Sequence, residues 1–175
     1  MSGATAHQPV IWDECLLRGW RAGDQDLLPA LRTLYAYTDR DPDRATGWLY
    51  SARQIAQLPP TPWPGALEEH GPRLLHDLEA ATGTRFGAAC FQAYLNGSGC
   101  GWHYDRDWPV QAILSLGVSR SFGLRRIDGS HQETLRLAHG DLLFMPAGMQ
   151  DEWEHCVPAE DVPGERCSVV FRSAA

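Results

Sequence analysis

The sequence contains no lysine. All 15 cationic residues are arginine, set against 22 aspartates and glutamates, for a formal net charge of -7. A GC-rich coding sequence accounts for the arginine bias by itself. The acidic balance argues against a surface that is one continuous nucleic-acid footprint, because such surfaces are basic. One stretch departs from it. In SRSFGLRRIDGSHQETLR, residues 119–136, Arg120, Arg125, Arg126 and Arg136 meet only Asp128 and Glu133. There is also no apolar run near the roughly 18 residues a membrane span needs, so no membrane partner is expected. The start, MSGATAHQPV, has neither a basic head nor an apolar core, so no secretory signal is expected. The five cysteines are odd in number, spread out and free of any CxxC pair. That pattern fits reduced thiols in a cytoplasmic protein. Repeats, low-complexity tracts and long linkers are missing, and 175 residues suit one domain, 1–175, expected as a monomer.

What is present divides near residue 84. Upstream the pattern is helical. In DQDLLPALRTLYAY, Leu27, Leu28, Leu31, Leu34 and Tyr35 recur with helical spacing, and Asp24 or Asp26 is placed to cap the start. A second helix is expected from about Pro72 to Thr82, with Leu74, Leu75 and Leu78 inward and Gly83 ending it. GWLYS reads as a short strand and LPPTPWPG as a proline-stiffened loop. Downstream, RFGAACFQAYL, VQAILSLGV, SFGLRRI, ETLRLA, DLLFMP and RCSVVFR are short and strand-like, and RIDGSHQETLR reads as a hairpin turning at Asp128-Gly129. Helices followed by at least six strands predict an α+β fold, a β-sandwich or open barrel backed by the N-terminal helices.

Strand alternation then assigns faces. On RCSVVFR, Arg166, Ser168, Val170 and Arg172 share one face and Cys167, Val169 and Phe171 the other. On CFQAYL, Gln92 and Tyr94 oppose Phe91, Ala93 and Leu95. The two arginines point either to solvent or into a cavity. Inside a cavity they need anions, and a small dicarboxylate would meet both, with Tyr94 and Ser168 adding hydrogen bonds. In GWHYDRDW, an extended backbone puts His103, Asp105 and Asp107 on one side. A histidine and a carboxylate two residues apart, joined by a distant second histidine, make a facial triad with open positions for non-haem Fe(II). His155, in EWEHCVP, is the candidate second histidine, and His139, in the turn-like LAHGD, competes with it. His131 falls in the hairpin loop, while His7, His70 and His76 lie outside the strand region and read as surface residues.

These segments, in this order, resemble the AlkB-like Fe(II)/2-oxoglutarate-dependent dioxygenases over about residues 45–172. FQAYLNGSGCGWHYDRD is similar to the family's Asn-x-Tyr segment leading into His-x-Asp-x-Asp. ILSLG resembles its Ser-Leu-Gly strand and LAHGDLLFM its Gly-Asp strand. EWEHCVP resembles the segment of its second metal histidine, and RCSVVFR its closing Arg-x-Asn-x-x-x-Arg; GWLYS and TPWPGAL resemble its substrate-side region. The resemblance implies a double-stranded β-helix (jelly-roll) core over 85–175, with 1–84 as the helical, substrate-side part. It implies Fe(II) on His103, Asp105 and His155, with 2-oxoglutarate and O2 as co-substrates. Arg166 and Tyr94 would hold the far carboxylate of 2-oxoglutarate and Arg172 the near one. Gln92 and Ser168 stand where the family has asparagine, and both still hydrogen-bond.

The reaction so implied is hydroxylation of a substrate C–H bond, foremost the oxidative demethylation of an alkylated nucleobase in DNA or RNA. Asp107 matches a base-contacting position. Trp102, Tyr104, Trp108, Trp48 and Tyr50 are candidates for stacking, and Arg106, Arg120, Arg125 and Arg126 for phosphate contacts. The short segment WPVQAIL borders the substrate mouth and sets this chain apart there. A hydroxylase of a small metabolite or amino acid is the alternative enzyme, and a metal-free jelly-roll binding module the alternative outside catalysis.

Overall fold

The computed structural model describes residues 12–52 and 59–173. The expectations for His7, the first ten residues and the first residue of LPPTPWPG lie outside them. Ten strands form two antiparallel sheets. The larger orders its strands β1 (Leu16–Leu17), β8 (Leu142–Met145), β5 (Gln111–Gly117), β10 (Glu165–Ser173), β3 (Phe86–Leu95) and β2 (Arg44–Ser51). The smaller orders β4 (Cys100–His103), β9 (Trp153–Val157), β6 (Arg120–Arg126) and β7 (Gln132–Leu137). Among the described residues four α-helices accompany them, α1 (Trp12–Cys15), α2 (Leu27–Arg32), α3 (His70–Thr82) and α4 (Met149–Glu152), with one 3-10 turn at Gly65–Leu67. No helix among the described residues is long and apolar enough to cross a membrane.

Both faces of the large sheet are buried, and alternation assigns them. Ala89, Phe91 and Ala93 of β3 with Cys167, Val169 and Phe171 of β10 pack against α2 and α3 through Leu27, Leu31, Leu74 and Leu78. Cys90, Tyr94 and Val170 face the small sheet, meeting Phe122, Leu124 and Val157. The arginine-bearing face of β10 therefore looks inward, between the sheets. Of the two options for Arg166 and Arg172, the solvent one is wrong: they are 2 % and 8 % exposed.

The helices follow their local signals. Asp24, not Asp26, caps α2: its Oδ1 accepts the backbone N–H groups of Asp26 and Leu27. Helix α3 ends where Gly83 takes the left-handed conformation, φ 66°. The hairpin turns at Asp128-Gly129, where the N–H of Arg126 donates to the His131 carbonyl. The division at residue 84 needs correction, because β1 and β2 lie upstream of it and β2 is an edge of the large sheet. Alternation in so short a run as GWLYS shows a strand but not its partner.

Arg120 is the largest correction among the arginines. It is 1 % exposed, and its Nη2 donates to the carbonyls of Gly97, Ser98 and Pro158, with Glu160 3.6 Å from its Nε. One guanidinium thus ties the loop entering β4 to the chain leaving β9. Arg120→Met takes the guanidinium donor from the Ser98 and Pro158 carbonyls, while the Gly97 carbonyl keeps the N–H of Glu160. It should cost about 3 kcal/mol in urea unfolding; a loss below ~0.5 kcal/mol would show the tie to be idle.

Candidate metal and co-substrate site

Strands β4 and β9 pair so that His103 sits directly opposite His155, with ring centroids 4.3 Å apart. Strand β4 ends at His103, and the chain turns, the N–H of Trp108 donating to the carbonyl of Asp105 at 2.9 Å. The Asp105 carboxylate, at the first residue of that turn, reaches the two imidazoles. One donor atom from each of His103, Asp105 and His155 lies within 4.8 Å of the others. Two nitrogens and one carboxylate oxygen suit non-haem Fe(II).

The surroundings prepare each group. Nδ1 of His103 lies 2.8 Å from the Gly101 carbonyl, which only accepts, so Nδ1 carries the proton and Nε2 is left for a metal. The Cys100 thiol beside that ring, and then the Gly101 carbonyl, push His103 up to about 9, so at neutral pH Nε2 also carries a proton, which a metal has to displace. Burial, reinforced by His103, pushes His155 down to about 4, which favours the neutral, ligating imidazole. Asp105 is held at several points. Gln111 Nε2 donates to its Oδ2 at 3.1 Å, its backbone N–H donates to Gln150 Oε1 at 2.9 Å, and Arg172 Nη2 lies 3.7 Å from Oδ2.

Next to this cluster, a small cavity is lined by Gln92, Tyr94, Gln111, Ile113, Phe122, Arg166 and Ser168, together with all three of His103, Asp105 and His155. Arg166 dominates its far end. The guanidinium donates to Ser115 Oγ at 3.1 Å and lies 5.5 Å from the centre of the Tyr94 ring, and its Nε has no hydrogen-bond partner. Among the described residues no carboxylate forms an ion pair with it. Burial opposes its charge, so the fold has placed an uncompensated cation beside a cavity. Tyr94 OH donates to Gln92 Oε1 at 2.7 Å, and Ser168 Oγ donates to the Gln92 carbonyl at 3.4 Å.

The remaining expected residues divide. Arg172 does not line the cavity; it sits at the mouth, 5.8 Å from the Trp48 ring and 5.3 Å from the Trp108 ring. Those two rings are 6.0 Å apart, and Trp48 is 40 % exposed. Tyr50 stacks on Trp63 at 5.0 Å, and Tyr104 is exposed with Arg106 over its ring. Asp107 lies in the turn, exposed and off the cavity. It leaves the common face because the chain turns at Asp105–Trp108. Trp102 alternates with His103 and packs against Gly123 with Arg125 4.5 Å from its ring, away from the cavity. Arg126 pairs with Glu152 and lies over Trp153, also outside the cavity; Arg125 pairs with Glu154, and Arg136 with Glu160. The arginine-rich stretch is thus neutralised by carboxylates from other segments. His139 is a fold residue: its Nδ1 accepts the N–H of Gly117, so its Nε2 donates to the Asp24 carbonyl.

Sequence reasoning missed Gln111, Ser115 and Gln150. A signal for the first two exists. In QAILSLG, Gln111, Ile113 and Ser115 share one face, polar at both ends of an otherwise apolar run.

The model of the 2OG-Fe(II) oxygenase superfamily matches residues 21–172. Human alkB homolog 3, an alpha-ketoglutarate-dependent dioxygenase, is 29% identical over 150 residues, covering 74% of this chain and 51% of its own. The uncharacterized protein R406 of Acanthamoeba polyphaga mimivirus is 27% identical over 130 residues, covering 70% and 64%. The chain therefore spans about half to two thirds of the length of these curated relatives. The structure of OsALKBH1 superposes with a TM-score of 0.61 at 16% identity, over 90% of this chain and 96% of that one, a likeness of fold. Fe(II), 2-oxoglutarate and O2 are the working set of this family, and the two-histidine, one-carboxylate cluster beside an unpaired buried arginine fits them. By that match, the chain belongs to the 2OG-Fe(II) oxygenase superfamily.

Proposed function

We propose that the protein is an Fe(II)/2-oxoglutarate-dependent dioxygenase that hydroxylates a substrate C–H bond, by AlkB-type demethylation of an alkylated nucleobase. The two facing antiparallel sheets support a double-stranded β-helix core in a single domain. The observation that carries the reading is Arg166. A fully buried guanidinium without a carboxylate, across one cavity from His103, Asp105 and His155, calls for an anionic ligand that reaches both ends. A dicarboxylate with a metal-chelating head is that ligand.

When bound, Fe(II) with 2-oxoglutarate and O2 supplies the oxidation: 2-oxoglutarate becomes succinate and CO2, and one oxygen atom enters the substrate C–H bond, which on an N-methyl group ends in formaldehyde and the bare nitrogen. His103, Asp105 and His155 hold the metal and leave its other positions open. Arg166 and Ser115 take the far carboxylate, with the Tyr94 hydroxyl close by on the same face. Arg172 braces Asp105 from the mouth. Phe122, Ile113 and Val170 keep the interior apolar and exclude water.

Trp48 and Trp108 present flat apolar surface at the mouth, which suits a planar, unstacked base. Trp48→Ala should raise the substrate KM about 10-fold or more and leave substrate-free succinate release within about twofold. An unchanged KM would remove the ring from recognition. Asp107, exposed in the turn, is retained as a contact to substrate rather than to metal.

The neutralised arginines favour a second reading, a small free metabolite as substrate, because phosphate-backbone binding depends on unpaired cations. Succinate and formaldehyde released against methylated oligonucleotides and small methylated amines separate the two. Formaldehyde from oligonucleotides alone supports demethylation of nucleic acid. Turnover of small amines alone supports the metabolite reading, and succinate from neither, with no metal bound, defeats both.

A further inference from the structure

Gln111 opens β5, directly opposite Arg172 of β10. It is 1 % exposed and lines the cavity. A carboxylate oxygen only accepts, so the amide group 3.1 Å from Asp105 Oδ2 must be the NH2 end. That fixes the other end: Oε1 is buried and has no hydrogen-bond partner. Buried amides that serve only the fold are satisfied at both ends, and a half-satisfied one is less stable than an apolar side chain. An isoleucine like Ile113, two residues along the same face, would fill this place at no such cost. The amide is therefore placed for what its NH2 end holds.

We propose that Gln111 is a positioning residue for the metal-ligating carboxylate: its Nε2–H fixes the rotation of the Asp105 side chain so that the carboxylate meets His103 and His155 in one ligand set. Asp105 needs such a fixture. It stands beyond the end of β4, in a turn, whereas the two histidines are locked in register by strand pairing. Gln150 holds its backbone, Arg172 approaches from the mouth at a longer distance, and Gln111 alone among the described residues donates a hydrogen bond to its side chain. Outer partners of metal ligands set ligand orientation and basicity.

The proposal rests on the reading of His103, Asp105 and His155 as metal ligands. The test is titration of the metal-free protein with Co(II) under nitrogen, following the visible spectrum of the bound ion and the dissociation constant. Gln111→Met keeps the volume and removes both polar ends; Gln111→Asn keeps the amide but withdraws it by one methylene. Both should weaken Co(II) by about 10–100-fold and change its visible bands, while the metal-free melting midpoint of Gln111→Met stays at or above the wild-type value. Should one variant fail to fold, the other carries the comparison. Wild-type affinity and spectrum in the folded variants would overturn the proposal alone. A wild-type chain that binds no Co(II) would overturn the metal-site reading as well.

Discussion

Arg166→Met should raise the 2-oxoglutarate requirement about 100-fold or more and, at the same time, stabilise the metal-free protein. The two effects share one cause. In the fold the guanidinium is 2 % exposed, meets one hydroxyl and leaves Nε unpartnered. Replacing such a charge with a methionine of similar length removes a desolvation cost, and a gain of about 1–2 kcal/mol in urea unfolding is expected. Once the dicarboxylate binds, the same guanidinium becomes half of a buried ion pair. Losing one partner of such a pair costs about 3–5 kcal/mol, a factor of 100 to over 1,000 in affinity. A structural arginine would behave oppositely, with Arg166→Met destabilising the fold and leaving the KM for 2-oxoglutarate unchanged.

Asp105→Ala should abolish metal-dependent succinate formation, at least about 100-fold below wild type, since losing even an outer partner of a metal ligand costs about 10–100-fold. The fold should survive it. Asp105 lies in a turn beyond β4, and the groups it leaves, Gln111 and Arg172, already border the cavity and its mouth, where water replaces the carboxylate. Residual succinate formation within threefold of wild type, from a folded Asp105→Ala protein, would remove the carboxylate from the ligand set.

Much of this architecture was legible as alternation. The period of two on RCSVVFR separated the Arg166 face from the Cys167 face correctly, because both faces of β10 are buried and each packs a different layer. The spacing of His103 and Asp105 was legible as a metal pair, but for a partly wrong reason. The segment is not extended as far as Asp107; a turn starting at Asp105 leaves Asp107 exposed. Single-residue periodicity cannot show where a strand ends when the next residues are polar and turn-competent.

The basic stretch around Arg125 misled for another reason. Its carboxylates, Glu152, Glu154 and Glu160, are more than twenty residues from the arginines they meet and arrive from the end of α4, from β9 and from the loop after β9. Local charge counting sees none of them. Arg120 likewise reads as an exposed cation and is a buried tie between loops. Gln111 escaped notice because one amide in an apolar strand gives no motif; its meaning lies in the carboxylate it faces.

The most direct measurement is equilibrium binding of 2-oxoglutarate to the purified protein by calorimetry without oxygen, with and without Fe(II). One equivalent should bind when Fe(II) is present, far more weakly without it, and only at about 100-fold higher concentration in Arg166→Met. Binding that ignores both the metal and Arg166, or no binding at all, would contradict the assignment of this cavity to an iron-chelating dicarboxylate.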